Sequence, residues 1–114
     1  MAHDILVTNW EWPKSDDSER LVTLEFDVLK KKLLGGYKVV ARNWALLFRL
    51  NKIHDPKEMV FGLDEGNGVT ECENNALIIA VLKAAGIAMK ERGDQINSQS
   101  MHSLAYEVFK ARVG

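Results

Sequence analysis

Between residues 21 and 28 the chain alternates strictly, with Val22, Leu24, Phe26 and Val28 falling on one side and Thr23, Glu25 and Asp27 on the other. A period of two is the mark of a half-buried strand. The β-branched and aromatic content favours that reading over a helical one through Val22, Phe26, Leu29 and Leu33. Residues 4–12 show the same period, which predicts one face made of Leu6, Thr8, Trp10 and Trp12 and another made of Ile5, Val7, Asn9 and Glu11. Pro13 and the five polar residues after it read as a loop rich in turn formers. Residues 30–34 fit a helical turn closed by Gly35 and Gly36, a pair suited to positive backbone angles.

Residues 37–40 are strand-like, whereas the apolar run 43–48 fits either a strand or a buried helix by periodicity alone. Its flanks favour a long third strand, bulged near residues 41–43. His54-Asp55-Pro56-Lys57 then makes a turn, and residues 59–63 make a short fourth strand. Beyond residue 70 the pattern becomes helical. Thr70-Glu71-Cys72-Glu73 matches a capping box, and residues 76–89 are apolar on nearly every side, the mark of a buried helix that stops at Gly93. Fourteen such residues fall short of the roughly 20 a bilayer span requires. A last helix starts near Ser98 or Ser100 and places Met101, Leu104, Ala105, Val108 and Phe109 on one stripe, with His102, Tyr106, Glu107 and Lys110 on its wetter side.

Strands followed by helices, without alternation, predict an α+β class. The expected architecture is an antiparallel four-stranded β-meander in the N-terminal half, packed against two C-terminal helices. Its 114 residues, 46% apolar, fit one domain over 1–114 that can bury a core without a metal or disulfide staple. The single Cys, a start without a basic run, and an apolar stretch of only three residues at 5–7 lead us to expect a cytoplasmic protein.

The net charge of -1 conceals segregation. Residues 1–28 carry a net of -5. Residues 29–57 carry +7, from Lys30, Lys31, Lys32, Lys38, Arg42, Arg49, Lys52 and Lys57 against Asp55 alone. Residues 58–75 hold Glu58, Asp64, Glu65, Glu71 and Glu73 and no base. Such blocks either mark a binding surface or pair with one another across neighbouring strands.

The glycine-rich run 62–70 leads into a helix start, yet it lacks the phosphate-binding Lys, and its own acids would repel an anion. It also lacks the oxygen ligands of a calcium loop. A plain strand-to-helix turn is the better reading. Cys72, expected in a first helical turn, has Glu71 and Glu73 beside it, which oppose a thiolate. His54 or His102 could reach it only through the fold. His3, His54, His102 and Cys72 show no metal-ligand spacing, so neither metal nor cofactor is expected. Trp10 and Trp12 read chiefly as core alongside Leu6, with a hydrophobic anchor or stacking platform as the alternative. Trp44, between Arg42 and Arg49, sits in a run that looks buried. Ala76, Ala80, Ala84 and Ala88 recur every four residues, a smooth stripe expected to pack on the protein's own sheet or last helix, with a dimer seam as the alternative.

With no acid/base pair, nucleophile or cofactor loop surviving, the sequence points away from an enzyme. It points toward a small binding or regulatory protein working through another protein or a second copy of itself, with no membrane role. The alternative is a nucleic-acid-binding protein using the basic stretch 29–57. The candidate interaction surface comprises Lys30, Lys31, Lys32, Lys38, Arg42, Arg49, Lys52, Trp10 and Trp12.

Overall fold

Among the described residues five strands pair in chain order, each antiparallel to the next, and two helices follow. The computed structural model describes residues 3–14, 19–50 and 55–114. The strands are β1 (Asp4–Glu11), β2 (Leu21–Lys31), β3 (Tyr37–Arg49), β4 (Phe61–Asp64) and β5 (Val69–Cys72), and the helices are α1 (Asn75–Glu91) and α2 (Gln95–Arg112). The α+β class therefore holds, while the expected count of four strands is corrected to five.

The fifth strand replaces the expected capping box. Thr70 and Glu71 lie opposite Leu63 and Gly62 in a β4–β5 hairpin. Gly66 and Gly68 take positive φ of 108° and 99° at its turn, where Asp64 Oδ1 accepts from the Gly66 amide at 2.8 Å. The glycines thus return the chain to the sheet, and the strand-to-helix turn falls later. There Asn74 caps α1, its side chain accepting from the Leu77 amide. Asp94 caps α2 in the same way through the Asn97 amide, so the helix begins at Gln95, three residues before Ser98, the earlier of the two expected starts.

One face of the sheet is covered by the helices. Val22, Leu24, Phe26 and Val28 of β2 are buried there as the alternation requires, joined by Leu46 and Phe48 of β3, Phe61 and Leu63 of β4, and Ile78, Val81, Leu82, Met101, Leu104 and Val108 of the helices. Phe26 meets Trp44 edge-on at 6.2 Å, and Phe48 meets Phe61 at 5.3 Å. Burying aliphatic and aromatic side chains contributes roughly 1.5–3 kcal/mol each relative to exposure, which makes this face the main source of stability.

The faces of β1 are a correction. Val7 is buried, Ile5, Trp10 and Trp12 pack against the core, and Leu6 stands 51% exposed. The cause is a bulge at Thr8: Val7 lies opposite Phe26 while Asn9 lies opposite Glu25. One extra residue inverts the parity, so odd positions face inward before it and even positions after it. The bulge expected in β3 is present. Phe26 faces Trp44 and Val28 faces Ala41, leaving Arg42 and Asn43 against Asp27 alone. Asn43 adopts φ of 58°, and its amide donates to Asp27 Oδ1 at 3.0 Å.

On α1 the fully buried side is Ile78, Val81, Leu82, Ala85 and Met89. The alanine stripe runs along its margin: Ala84 and Ala88 pack against the core, Ala80 is half-buried and Ala76 is exposed. The helix, expected to be buried because it is apolar on nearly every side, is therefore buried along one side only, with Ala76, Lys83 and Ile87 exposed. Phe109, expected on the buried stripe of α2, is 47% exposed. With Ile87, Tyr106 and His102 it borders a shallow cavity of about 320 Å³. Of the expected turn before β4, the described part holds: the Asp55 carbonyl accepts from the Glu58 amide, and the Asp55 carboxylate from the Lys57 amide. The polar loop at 15–18 and His54 lie outside the described residues.

Candidate interaction surface

β2 and β3 outrun their neighbours. β1 accompanies β2 only as far as Leu29, opposite Asp4, and β4 covers β3 only at residues 45–47. Among the described residues the two strands continue without a further neighbour beyond Leu29 and Val39 as a ribbon, with Lys30 opposite Lys38 and Lys31 opposite Tyr37. In place of the expected helical turn, the chain reverses through residues 32–36. Gly35 and Gly36 take φ of 96° and 74°, and the Lys32 amide closes the loop by donating to the Gly36 carbonyl at 3.0 Å. Two consecutive positive angles are costly for any residue but glycine, so this pair fixes where the ribbon turns.

The reversal puts Leu33 and Leu34 at the apex, 105% and 102% exposed. Lys30, Lys31, Lys32 and Lys38 surround them, all exposed, and the six residues line a concavity of about 510 Å³. Two features of this tip work against stability. Lys30 and Lys38 face each other directly, and like charges in that relation are unfavourable. Two adjacent leucines stand fully in water, forgoing roughly 1.5–3 kcal/mol each that burial would contribute.

Direct cross-strand pairing with acids does not account for the strand lysines of the basic block or for Arg49. The direct partners of its strand residues are Lys38 for Lys30, Tyr37 for Lys31 and Leu21 for Arg49, none of them acidic. Arg42 is the exception in position, lying in the bulge opposite Asp27.

The remaining candidates are dispersed. Arg49 ends β3 more than about 30 Å along the strand from Lys38, at about 3.3 Å per residue. Trp10 lies near the end of β1 opposite Leu24, and Trp12 follows just past that end, both away from the tip. Trp10 is covered by the Arg92 guanidinium, 4.8 Å from the ring centroid, and the same side chain donates to the Thr8 carbonyl at 3.0 Å. Trp12 packs against the core and borders a cavity of about 490 Å³ beside α2. Lys52 lies outside the described residues. The structure thus gathers Lys30, Lys31, Lys32 and Lys38 at one point and leaves Arg42, Arg49, Trp10 and Trp12 elsewhere.

Sequence reasoning missed the two leucines, although Gly35-Gly36 between two alternating runs is a hairpin signal. It also missed the uncovered sheet face. There the register aligns Glu25 with Ala45 and Asp64 across β2, β3 and β4, and Glu11 with Thr23, Leu47, Gly62 and Glu71 across the whole sheet.

Cys72 lies on β5, buried opposite Phe61, and so has no helix-terminal environment. His102 stands over Gly86 on the helix pair. Among the described residues no three His, Cys, Asp or Glu side chains assemble as metal ligands, and no helix is long and apolar enough to cross a membrane. No protein family, curated protein or solved structure matches this chain.

Proposed function

We propose that this chain is a non-enzymatic binding or regulatory protein of the cytoplasm that acts through protein–protein contact, presenting the β2–β3 hairpin to its partner. The observation that carries this reading is the apex itself: Leu33 and Leu34 fully exposed within a collar of four lysines. An apolar centre rimmed by charge is the usual anatomy of a protein contact, where the centre supplies burial and the rim supplies selection.

A nucleic-acid reading draws on the same lysines, which could meet phosphates. The two apex leucines offer no ring on which a base could stack, and Trp44 is turned inward against Phe26, which leaves Tyr37, exposed opposite Lys31, as the one ring at the tip that such a contact would have to use. A net charge of -1 supplies no general attraction to a polyanion.

The test is capture from a lysate of the source cells, with and without nuclease, comparing the parent with a Leu33→Ser/Leu34→Ser variant. Capture of protein that survives nuclease and is lost in the variant is the expected result. Single- and double-stranded DNA and RNA should show no micromolar binding at physiological salt. Tight, nuclease-sensitive binding abolished by replacing Lys30, Lys31 and Lys32 would put nucleic acid in place of protein.

A further inference from the structure

The sheet face opposite the helices carries the complement of the hairpin tip. Its middle is apolar, with Leu47 and Gly62 side by side on β3 and β4 and Val69 leaning over Gly62 so closely that a Cβ there would lie 2.6 Å from the Val69 Cγ1. Leu21, Leu47, Gly62 and Val69 line a shallow cavity of about 510 Å³ on this face. The surroundings are acidic. Glu25 and Asp64 flank Ala45 in one row, Glu71 lies beside Gly62 in the next, and Glu58 stands at the cavity's rim. The base bordering the same cavity is Arg49, at the edge nearest Leu21.

From this juxtaposition we infer that the hairpin tip of one copy docks on the uncovered sheet face of a second copy. Leu33 and Leu34 cover the Leu47–Val69 surface, and the lysine collar meets Glu25, Asp64 and Glu71. The inference rests on the reading of the hairpin as a protein-contact element and names its partner. Charge complementarity selects a second copy: the basic block is matched by an acidic, apolar-centred surface on the same polypeptide. Within one molecule the two cannot meet, because β2 and β3 run continuously from the face into the ribbon. The contact joins two different surfaces, so two copies can satisfy it reciprocally in a two-fold dimer, or successive copies can carry it head-to-tail into a ring or an open chain.

The experiment is sedimentation equilibrium of the full chain over a concentration series, at low salt and at about 1 M salt, where charges are screened beyond about 3 Å. At low salt the mass should rise at least twofold above the monomer with concentration, and at high salt it should fall back. A tip variant (Lys30→Glu, Lys31→Glu, Lys32→Glu) and a face variant (Glu25→Lys, Glu71→Lys) should each be monomeric alone and should associate again when mixed, since the reversed tip now fits the reversed face. Leu33→Ser/Leu34→Ser, at sites with no packing to lose, should be monomeric with an unchanged melting curve. A parent that stays monomeric, or an association that the tip changes leave intact, overturns the inference. A monomeric parent that still captures protein through the hairpin would leave the broader reading standing, whereas loss of both would remove the two together.

Discussion

Ser98 donates its hydroxyl to the carbonyl oxygen of Gly86 at 2.7 Å, buried in the seam between the two helices. One turn further along α2 the ring of His102 lies over the same glycine, 2.9 Å from where a Cβ would stand. α1 and α2 therefore approach each other closely at a residue without a side chain, and a hydroxyl bond ties them together there. Ser98→Ala removes that bond and should lower stability by about 1 kcal/mol, read as a shift in the denaturant midpoint with an unchanged slope.

Gly86→Ala sets two effects against each other. Alanine gains up to about 1 kcal/mol of helix propensity, but its methyl requires the His102 ring to move. His102 is exposed and can swing away, so the single change should be nearly neutral. In a His102→Ala background the obstacle is gone, and Gly86→Ala should then stabilise by about 1 kcal/mol. A double-mutant cycle measures the difference, and equal effects in both backgrounds would contradict the contact.

Arg92 joins α1 to β1 twice, through the Trp10 ring and through the Thr8 carbonyl. Arg92→Lys keeps the charge and loses the planar group that makes both contacts, so it should cost about 1 kcal/mol, close to the loss from Arg92→Ala. Trp10 fluorescence should change in both variants.

Asn43 holds its positive φ where two residues of β3 oppose one of β2. Asn43→Gly should be tolerated, while Asn43→Val should destabilise by roughly 1–3 kcal/mol because a β-branched residue is strained in that region. Thermal melts of the two variants decide the matter.

The alanine margin of α1 should respond by position. Ala84→Leu presses on the core and should cost roughly 1–3 kcal/mol, whereas Ala76→Leu, at an exposed site, should melt like the parent.

The sequence pattern was legible wherever one residue followed another at a constant period. Val22, Leu24, Phe26 and Val28 face the core as their alternation requires, and Met101, Leu104 and Val108 do so at helical spacing. It misled at Leu6, because a single extra residue at Thr8 inverts every later position of β1 and nothing in the residue types marks the place. It misled again at Thr70, where the residues of a helix cap serve equally well in a short edge strand. The pairing with β4 that decides between them depends on the turn at Gly66 and Gly68. The lysines of the candidate surface could be counted in advance. Their convergence around Leu33 and Leu34 depends on β2 and β3 outrunning the strands beside them, a matter of relative strand length.

Pairing in chain order also governs how the molecule can be made. Each strand finds its partner in the segment just synthesised, so the sheet can be laid down progressively as the chain emerges, with no crossing connection to thread. β1 is different: its second neighbour is α1, and the Arg92 bond to Thr8 spans 84 positions of sequence. Until residue 92 has been made, the aromatic side of β1 and the inner faces of β2 and β3 lie open to solvent. That interval, with its greasy unfinished surface, is when a nascent chain of this design most needs shielding from its neighbours.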